Sequence, residues 1–393
     1  MFLELASRNE DLKRLLEKGY ALNLDSEYLV ARDIPYLDKD NQLRTGAIVT
    51  KVVFIDQVRV QQQDHQIFFC GSHPHGVDGA PISNLGGGPA QLALKDPTLV
   101  VERSFSNKPV GSNGFSDFFT KIDSYVAIIS GPAMELHAAT PLTFRVDDEA
   151  TPGSVFKFHD TLTSRAEIGD LAKKLTDDVI AIIGLGGTGA YILDFMVKTP
   201  VKEIRAFDRD AFHVHNAYRS PGRLLDEGEL GKTKAEVYAA RYANFRSGLR
   251  VEPKFIDASS DAELDGVTFA FVAVDKGASR SAIFDVLLSK RIPFIDVGMG
   301  LDRKRGPLGG MLRVTYYSAE SGPAVREKGL AEMADAPDDE YKTNVQIAEL
   351  NAINAGLAVL KYKQVRGFYA DDGAPYHLLL GVDDLRALGE VST

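Results

Sequence analysis

Apolar positions along this chain repeat in two different ways, and the change between them falls close to residue 150. Residues 2 to 18 set Leu5, Leu12, Leu15 and Leu16 at helical spacing among charges, which predicts an amphipathic opening helix. Short apolar runs bounded by turn residues follow: YLVA at 28, AIVTKVVFI at 47, HQIFFC at 65, YVAIISG at 125 and LTFRV at 142. Taken as strands, they predict a smaller α+β domain over residues 1 to 150. After HQIFFC comes GSHPHGVDGAPISNLGGGP, a loop dense in Gly and Pro and of a length usually reserved for functional or mobile segments. Charge, Pro and Gly gather again in DDEATPGS, residues 147 to 154, and mark a domain boundary.

From residue 155 strands alternate with helical stretches, the pattern of an α/β doubly wound sheet of Rossmann type. VIAII at 179 is an apolar run of buried-strand type, followed at once by glycines and then by the helical AYILDFMVK. Further strands are expected at EIRAF (203), PKFI (253), VTFAFVAV (267) and PFIDVGM (293). NVQIAELNAINAGLAVLKYK reads as a long, mostly buried helix closing this domain at residue 365. Residues 366 to 393 read as a C-terminal tail with one more strand candidate, HLLLGV.

Composition narrows the function classes. With 393 residues, 44% of them hydrophobic, the chain can bury two ordinary cores. A formal charge of -10 gives no basic field for a nucleic-acid backbone, so nucleic acid is disfavoured as the main partner. The single cysteine, Cys70, rules out an internal disulfide and any all-cysteine zinc site, and points to a reducing compartment. The charged N-terminal segment lacks the apolar core of a signal peptide, and no run approaches the roughly 18 apolar residues that span a bilayer. A soluble cytoplasmic protein is therefore expected, without membrane attachment.

The chemistry concentrates in the second domain. Gly184, Gly186 and Gly189, with Gly187 between them, form GLGGTG after a predicted strand and before a predicted helix. In that context phosphates can approach backbone N–H groups, although the spacing alone serves NAD, FAD and ATP alike, or a purely structural turn. The next strand ends in Asp208, placed to accept hydrogen bonds from ribose hydroxyls. The stretch after it separates the candidates, because one loop offers Asp208, Asp210, Asn216 and Arg219, then Lys232 and Lys234 at a helix start. A dehydrogenase needs little beyond the ribose carboxylate here, whereas polyphosphate chemistry needs cations to neutralise charge as pyrophosphate leaves. Asp275, at the carboxyl edge of a later buried strand, is placed to hold Mg2+ against phosphates.

These four motifs in order, GLGGTG, then D-x-D with N-x-x-R six residues on, then G-x-x-K-A, then D-x-x-x-x-R, resemble the ThiF and MoeB family, whose fold ubiquitin-activating enzymes share. The resemblance covers roughly residues 160 to 365. It implies an ATP-dependent adenylyltransferase acting on the C-terminal carboxylate of a ubiquitin-like carrier ending in Gly, with a conjugating-enzyme-like partner and a homodimeric assembly. On this resemblance the positions of Asp208, Asn216, Arg219 and Lys234 contact ATP, and Asp275 lies at the metal and the phosphates. Two extra residues precede GKTKAE, so Lys232 competes with Lys234 for the phosphate role, and the paired C-x-x-C zinc site of many relatives cannot form. Homodimeric relatives reach an N-terminal Arg into the neighbouring site, and Arg165 stands at that distance before the glycine loop. The first 150 residues resemble an uncharacterised module fused to bacterial activating enzymes.

Ubiquitin-activating relatives carry a nucleophilic Cys on the loop that here reads YYSAESGPAVREKGLAEMADAPDDEYKTN and holds none. The enzyme then stops at the adenylate, or Ser318, Ser321 or the distant Cys70 receives the acyl group. Cys70 precedes His73, His75 and Asp78, which leaves open an imidazole-assisted thiolate, a Cys/His metal site or a packed strand-end cysteine. Rival readings are adenylation of a small-molecule or tRNA-borne carboxylate, an NAD-dependent oxidoreductase, and a non-catalytic dimerising scaffold.

Overall fold

The computed structural model describes residues 2–56, 59–109, 111–112, 114–145, 154–158, 160, 162–163, 166, 168–222, 227–303, 306–334 and 345–391. It divides into two units, Met1–Glu167 and Ile168–Thr393.

In the first unit, helices α1 (Phe2–Ser7) and α2 (Glu10–Lys18) precede strands β1 (Ala21–Asp25), β2 (Tyr28–Leu37), β3 (Leu43–Phe54), β4 (Val60–Gln62), β5 (Gln66–Cys70), β6 (Gly88–Pro89) and β7 (Arg103–Ser106), and helix α3 (Phe118–Leu136). The strands pair antiparallel in the order β1-β2-β3-β5-β7-β6, with β4 beside β3. Leu12, Leu15 and Leu16 of α2 and Ile122, Tyr125 and Ile129 of α3 share one core with Ile48, Phe69 and Phe105 of the sheet. Two sequence expectations change here. The opening helix is broken at Asn9, whose amide donates to Leu5 O and accepts from Val60 N, so its side chain serves β4 rather than a continuous helix. YVAIISG lies inside α3 rather than in a strand. An uninterrupted apolar run carries no period of its own, and the buried spacing of Ile122, Tyr125, Val126 and Ile129 emerges only against the sheet. The described part of LTFRV, residues 142–145, forms isolated bridges through Leu142 and Arg145 rather than a strand, and Val146 lies outside the described residues.

The second unit contains α4 (Gly169–Lys173), β8 (Val179–Ile183), α5 (Gly187–Met196), β9 (Glu203–Phe207), α6 (Val214–Ala217), α7 (Lys234–Tyr242), β10 (Leu249–Glu252), β11 (Phe269–Val272), α8 (Gly277–Ser289), β12 (Phe294–Asp302), β13 (Gly309–Tyr317), α9 (Gly322–Glu327), α10 (Ala348–Val365), β14 (His377–Gly381) and β15 (Ala387–Glu390). Its eight-stranded sheet runs β10-β9-β8-β11-β12-β13-β14-β15. The first five strands are parallel and the last three add antiparallel. The segment expected as a tail thus contributes two strands to the sheet. Strand β10 ends at Glu252, just before the PKFI assigned to it, where Pro253 has no N–H to extend a ladder. Strand β13 was not among the expected strands.

Strand β8 is buried on both faces. Ile180 and Ile182 pack with Leu193, Met196 and Tyr362, while Val179, Ala181 and Ile183 pack with Phe284 and Leu287 on the other side. This is why VIAII shows no alternation. The chain leaves β8 toward β9 on one flank and returns as β11 on the other, so the strand order reverses there. Doubly wound sheets open their ligand crevice at such a reversal, outside the carboxyl ends of the strands.

Candidate nucleotide and acyl site

At the end of β8 the chain turns through Gly184, whose φ of +94° is left-handed and whose missing Cβ leaves room for Ala273 O at the end of β11. A Cβ on Gly189 would collide with Gly184 O, so these two glycines let the helix sit directly against the turn. Gly186 caps α5 without a side-chain bond and has open space where its Cβ would be. The first N–H groups of α5 therefore face outward, with the positive end of the helix dipole behind them.

Asp208 follows β9 and is buried. Its Oδ2 accepts from Leu185 N at 2.7 Å and its Oδ1 from Asp210 N at 2.8 Å, so this carboxylate also braces the glycine turn. Lys234, the first residue of α7, is buried as well, and its Nζ lies 2.8 Å from Asp210 Oδ2 and 3.3 Å from Asp208 Oδ2. A capping box between Thr233 and Glu236 starts α7 and sets that position. Lys232 is exposed, and its carbonyl accepts from Phe212 N. Of the two competing lysines, Lys234 is the one held beside Asp208. Asn216 is buried in α6 and its Oδ1 accepts from His213 N at 2.8 Å. Arg219 follows, with its buried Nε unpartnered among the described residues.

Asn351 of α10 joins these pieces, and the motif reading did not single it out. Its Oδ1 accepts from Thr188 Oγ1 at 2.9 Å and its Nδ2 donates to Arg219 O at 3.2 Å, with the amide pressed where a Cβ on Gly187 would stand. The signal was present in the sequence as two asparagines, Asn351 and Asn354, inside an apolar helix, since a buried amide needs partners.

On the other flank of the glycine turn a cavity of about 470 Å3 is lined by Gly186, Gly187, Asp275, Gly298, Gly300 and Arg313, among others. Asp275 is exposed, and among the described residues its carboxylate accepts only long bonds from Gln346 Nε2, at 3.3 and 3.5 Å. Beneath it Asp296 is fully buried and takes Arg280 Nε at 3.1 Å on one oxygen and Arg313 Nη2 at 2.6 Å on the other. Arg280 also donates to the carbonyls of Val274 and Glu332, pinning the strand end that carries Asp275.

The acyl-acceptor candidates lie elsewhere. Ser318 Oγ accepts from Glu320 N and Ser321 N and sits 2.8 Å from Ser321 Oγ, so both hydroxyls close the turn before α9, with no base hydrogen-bonded to them among the described residues. Cys70 belongs to the first unit, at the end of β5, where it lines a separate cavity with Arg32, Thr45 and Glu102. Burial pushes its thiol up to about 11, and the charges acting on it are Arg32, Glu102 and Asp96 rather than the histidines. The rings of His73 and His75 lie 6.0 Å apart, and no group of three or more metal-ligating side chains occurs among the described residues. Arg165 lies outside the described residues, as does part of the loop after α9, 335–344. No helix among the described residues is long and apolar enough to cross a membrane.

The ThiF family model matches residues 162–364, just over half of the chain. The chain belongs to the ThiF family. Residues 10–161 match a domain of unknown function, DUF6791. The tRNA threonylcarbamoyladenosine dehydratase of Escherichia coli (strain K12) is 27% identical over 135 residues, which are 33% of this chain and 50% of that protein. The chain thus spans about half the length of the curated relatives it matches. Among solved structures, PaaA aligns at a TM-score of 0.42 and 17% identity over 59% of this chain and 80% of its own. E. coli MccB with ATP aligns at 0.40 and 15% identity, over 56% and 65% respectively. ThiF-family members are ATP-dependent adenylating enzymes, and the glycine turn, Asp208, Lys234 and Asp275 of this chain occupy one edge of its ThiF sheet.

Proposed function

We propose that the ThiF unit adenylates a carboxylate at the expense of ATP. The observation that carries this reading is the outward-facing N-terminus of α5 standing between Lys234 on one flank and Asp275 on the other. The triphosphate lies across the α5 amides, Asp208 takes the ribose, and Arg219 and Lys234 offset phosphate charge. The acyl cavity holds the carboxylate, already ionised at pH 7, so that its oxygen attacks the α-phosphorus. An O–P bond forms there, the bond to the bridging oxygen of the β-phosphate breaks, and pyrophosphate leaves with that electron pair. The open carboxylate of Asp275 would hold a Mg2+ ion, which would supply charge neutralisation at the phosphates.

For the acyl substrate, the curated relatives are named for a modified tRNA nucleoside, and we take a small or tRNA-borne carboxylate as the first candidate. The C-terminal carboxylate of a ubiquitin-like protein is the second. Gly300 lines the cavity with open space where its Cβ would stand, which suits the close approach of another backbone, and the net charge of -10 opposes a polynucleotide. Exchange of labelled pyrophosphate into ATP tests the reaction. It is expected with tRNA bearing threonylcarbamoyladenosine or with a small β-grasp protein ending in Gly, and the active one of the two names the class. Asp275→Ala should reduce exchange at least a hundredfold, on the order of the loss of one charge-stabilising group, with an unchanged melting curve. Stabilisation by NAD equal to that by ATP would overturn the adenylation reading.

A further inference from the structure

One cation of the acyl cavity has no part in the reading above. Strands β12 and β13 pair Asp296 with Thr315, Gly298 with Arg313 and Gly300 with Met311, and β14 continues the first two rows with His377 and Leu379. Side chains alternate along a strand, so these residues share one face of the sheet. β11 pairs with β12 only as far as Asp296, opposite Val272. The rows of Gly298 and Gly300 therefore extend past the carboxyl edge of the parallel strands, where they line the cavity with Met311, Arg313 and Leu379.

Three contacts seat the Arg313 side chain in that wall. Its Nη2 donates to Asp296 Oδ2 at 2.6 Å and its Nη1 to Thr315 Oγ1 at 3.1 Å. The guanidinium also lies against Gly298, where a Cβ would come within 2.8 Å of Nη2 and 3.0 Å of Nε. A guanidinium has five N–H donors, and among the described residues these bonds use two of them. Charge is in excess here as well. Asp296 is the carboxylate of both Arg280 and Arg313, so the three groups together carry one net positive charge. The Arg280 side chain is 6% exposed and directs its other donors to the carbonyls of Val274 and Glu332, whereas the Arg313 side chain is 15% exposed. Arg313 is thus the member of the triad that presents the excess charge to the cavity.

We propose that Arg313 anchors the carboxylate of the acyl substrate. One carboxylate oxygen accepts from the remaining N–H groups of Arg313, which leaves the other oxygen to face the nucleotide. Gly300, with open space where its Cβ would stand, admits the chain that carries the carboxylate. The cavity lies on the flank of the glycine turn away from Lys234, so the phosphates and the carboxylate each meet a cation of their own. Asp296 and Thr315 are positioning residues that hold the guanidinium in place. The anchor rests on the adenylation reading above, but it fails separately from it.

Pyrophosphate exchange by the full chain tests it, with the modified tRNA and the β-grasp protein of the assay above as acyl substrates and KM measured separately for ATP and for the acyl substrate. Arg313→Met should raise the acyl KM by roughly ten- to a hundredfold, the range for one lost hydrogen bond to a charged group, and leave the KM for ATP within about twofold. Arg313→Lys, which restores the charge, should recover most of that loss. Gly298→Ala keeps both arginines but sets a Cβ against the guanidinium, so it should raise the acyl KM too, and it reports even if Arg313→Met does not fold. An unchanged acyl KM in Arg313→Met, or in Gly298→Ala where Arg313→Met does not fold, overturns the anchor and leaves adenylation intact. A rise in the KM for ATP as large as that for the acyl substrate, or no recovery in Arg313→Lys, also overturns it. No exchange by the wild type with either substrate overturns the adenylation reading and the anchor together.

Discussion

At the scale of single residues, environment decides which candidate groups are chemically ready. Cys70 is a packed strand-end thiol: burial raises it from 9.0 to about 11, so it stays protonated at neutral pH. Alkylation by iodoacetamide should therefore be slow at pH 7.5 and accelerate steadily as pH rises toward 11, measured by intact mass. The sign for stability follows the same way. The raised thiol favours the folded form fully below pH 9, and this contribution is lost as pH climbs through 11. Rapid labelling at pH 7.5 would mark Cys70 as a thiolate and restore it as an acyl acceptor. Asp275 is the opposite case, an exposed carboxylate with one weak donor beside it among the described residues, Gln346.

At the scale of elements, the site is a junction of a turn, a loop and a late helix. Asn351 is its fastener, 1% exposed and bonded to both Thr188 and Arg219. Asn351→Ala leaves a hydroxyl and a carbonyl without their partner, at a cost of about 1–3 kcal/mol. For a unit of this size that corresponds to a melting-temperature loss of roughly 2–10 °C. Calorimetry should show that loss together with weaker ATP binding, because Thr188 and Arg219 are freed at once. Unchanged melting and affinity would mean that the glycine turn holds its shape without α10.

At the scale of the whole molecule, each unit folds its cores around its own sheet, and the ThiF unit is tied together by an ion triad centred on a buried aspartate. Asp296, with no exposed surface, joins Arg280 of α8 to Arg313 of β13, spanning the change from parallel to antiparallel pairing. Removing the central charge leaves the buried Arg280 and the partly buried Arg313 without their carboxylate, which typically costs about 3–5 kcal/mol. Asp296→Ala should accordingly lower the melting temperature by roughly 10 °C. Asp285→Ala, which removes a largely exposed partner of Arg326, should change it by no more than about 2 °C. Equal effects of the two substitutions would show that burial does not set the value of the triad.

Much of this architecture is local and was legible along the chain. Strand β8, its glycines and the helix after them follow from an apolar run, a turn that needs Gly184 at positive φ, and the start of α5, all within neighbouring residues. The family resemblance is equally local, since it was carried by short motifs. Other features depend on partners distant in sequence. YVAIISG became helix because the sheet of the first unit covers one face of it, and the apolar letters alone suit either structure. β13, β14 and β15 join the sheet edge through antiparallel pairing that no local pattern specifies. Lys234 and Lys232 are two residues apart and look alike in sequence, and only the fold brings the first against Asp208 while leaving the second in solvent. Asn351 acquires its role from residues more than a hundred positions away. Chain-local sterics and hydrophobic period are written residue by residue, whereas charge pairing and burial are properties of positions in space, which only the tertiary structure assigns.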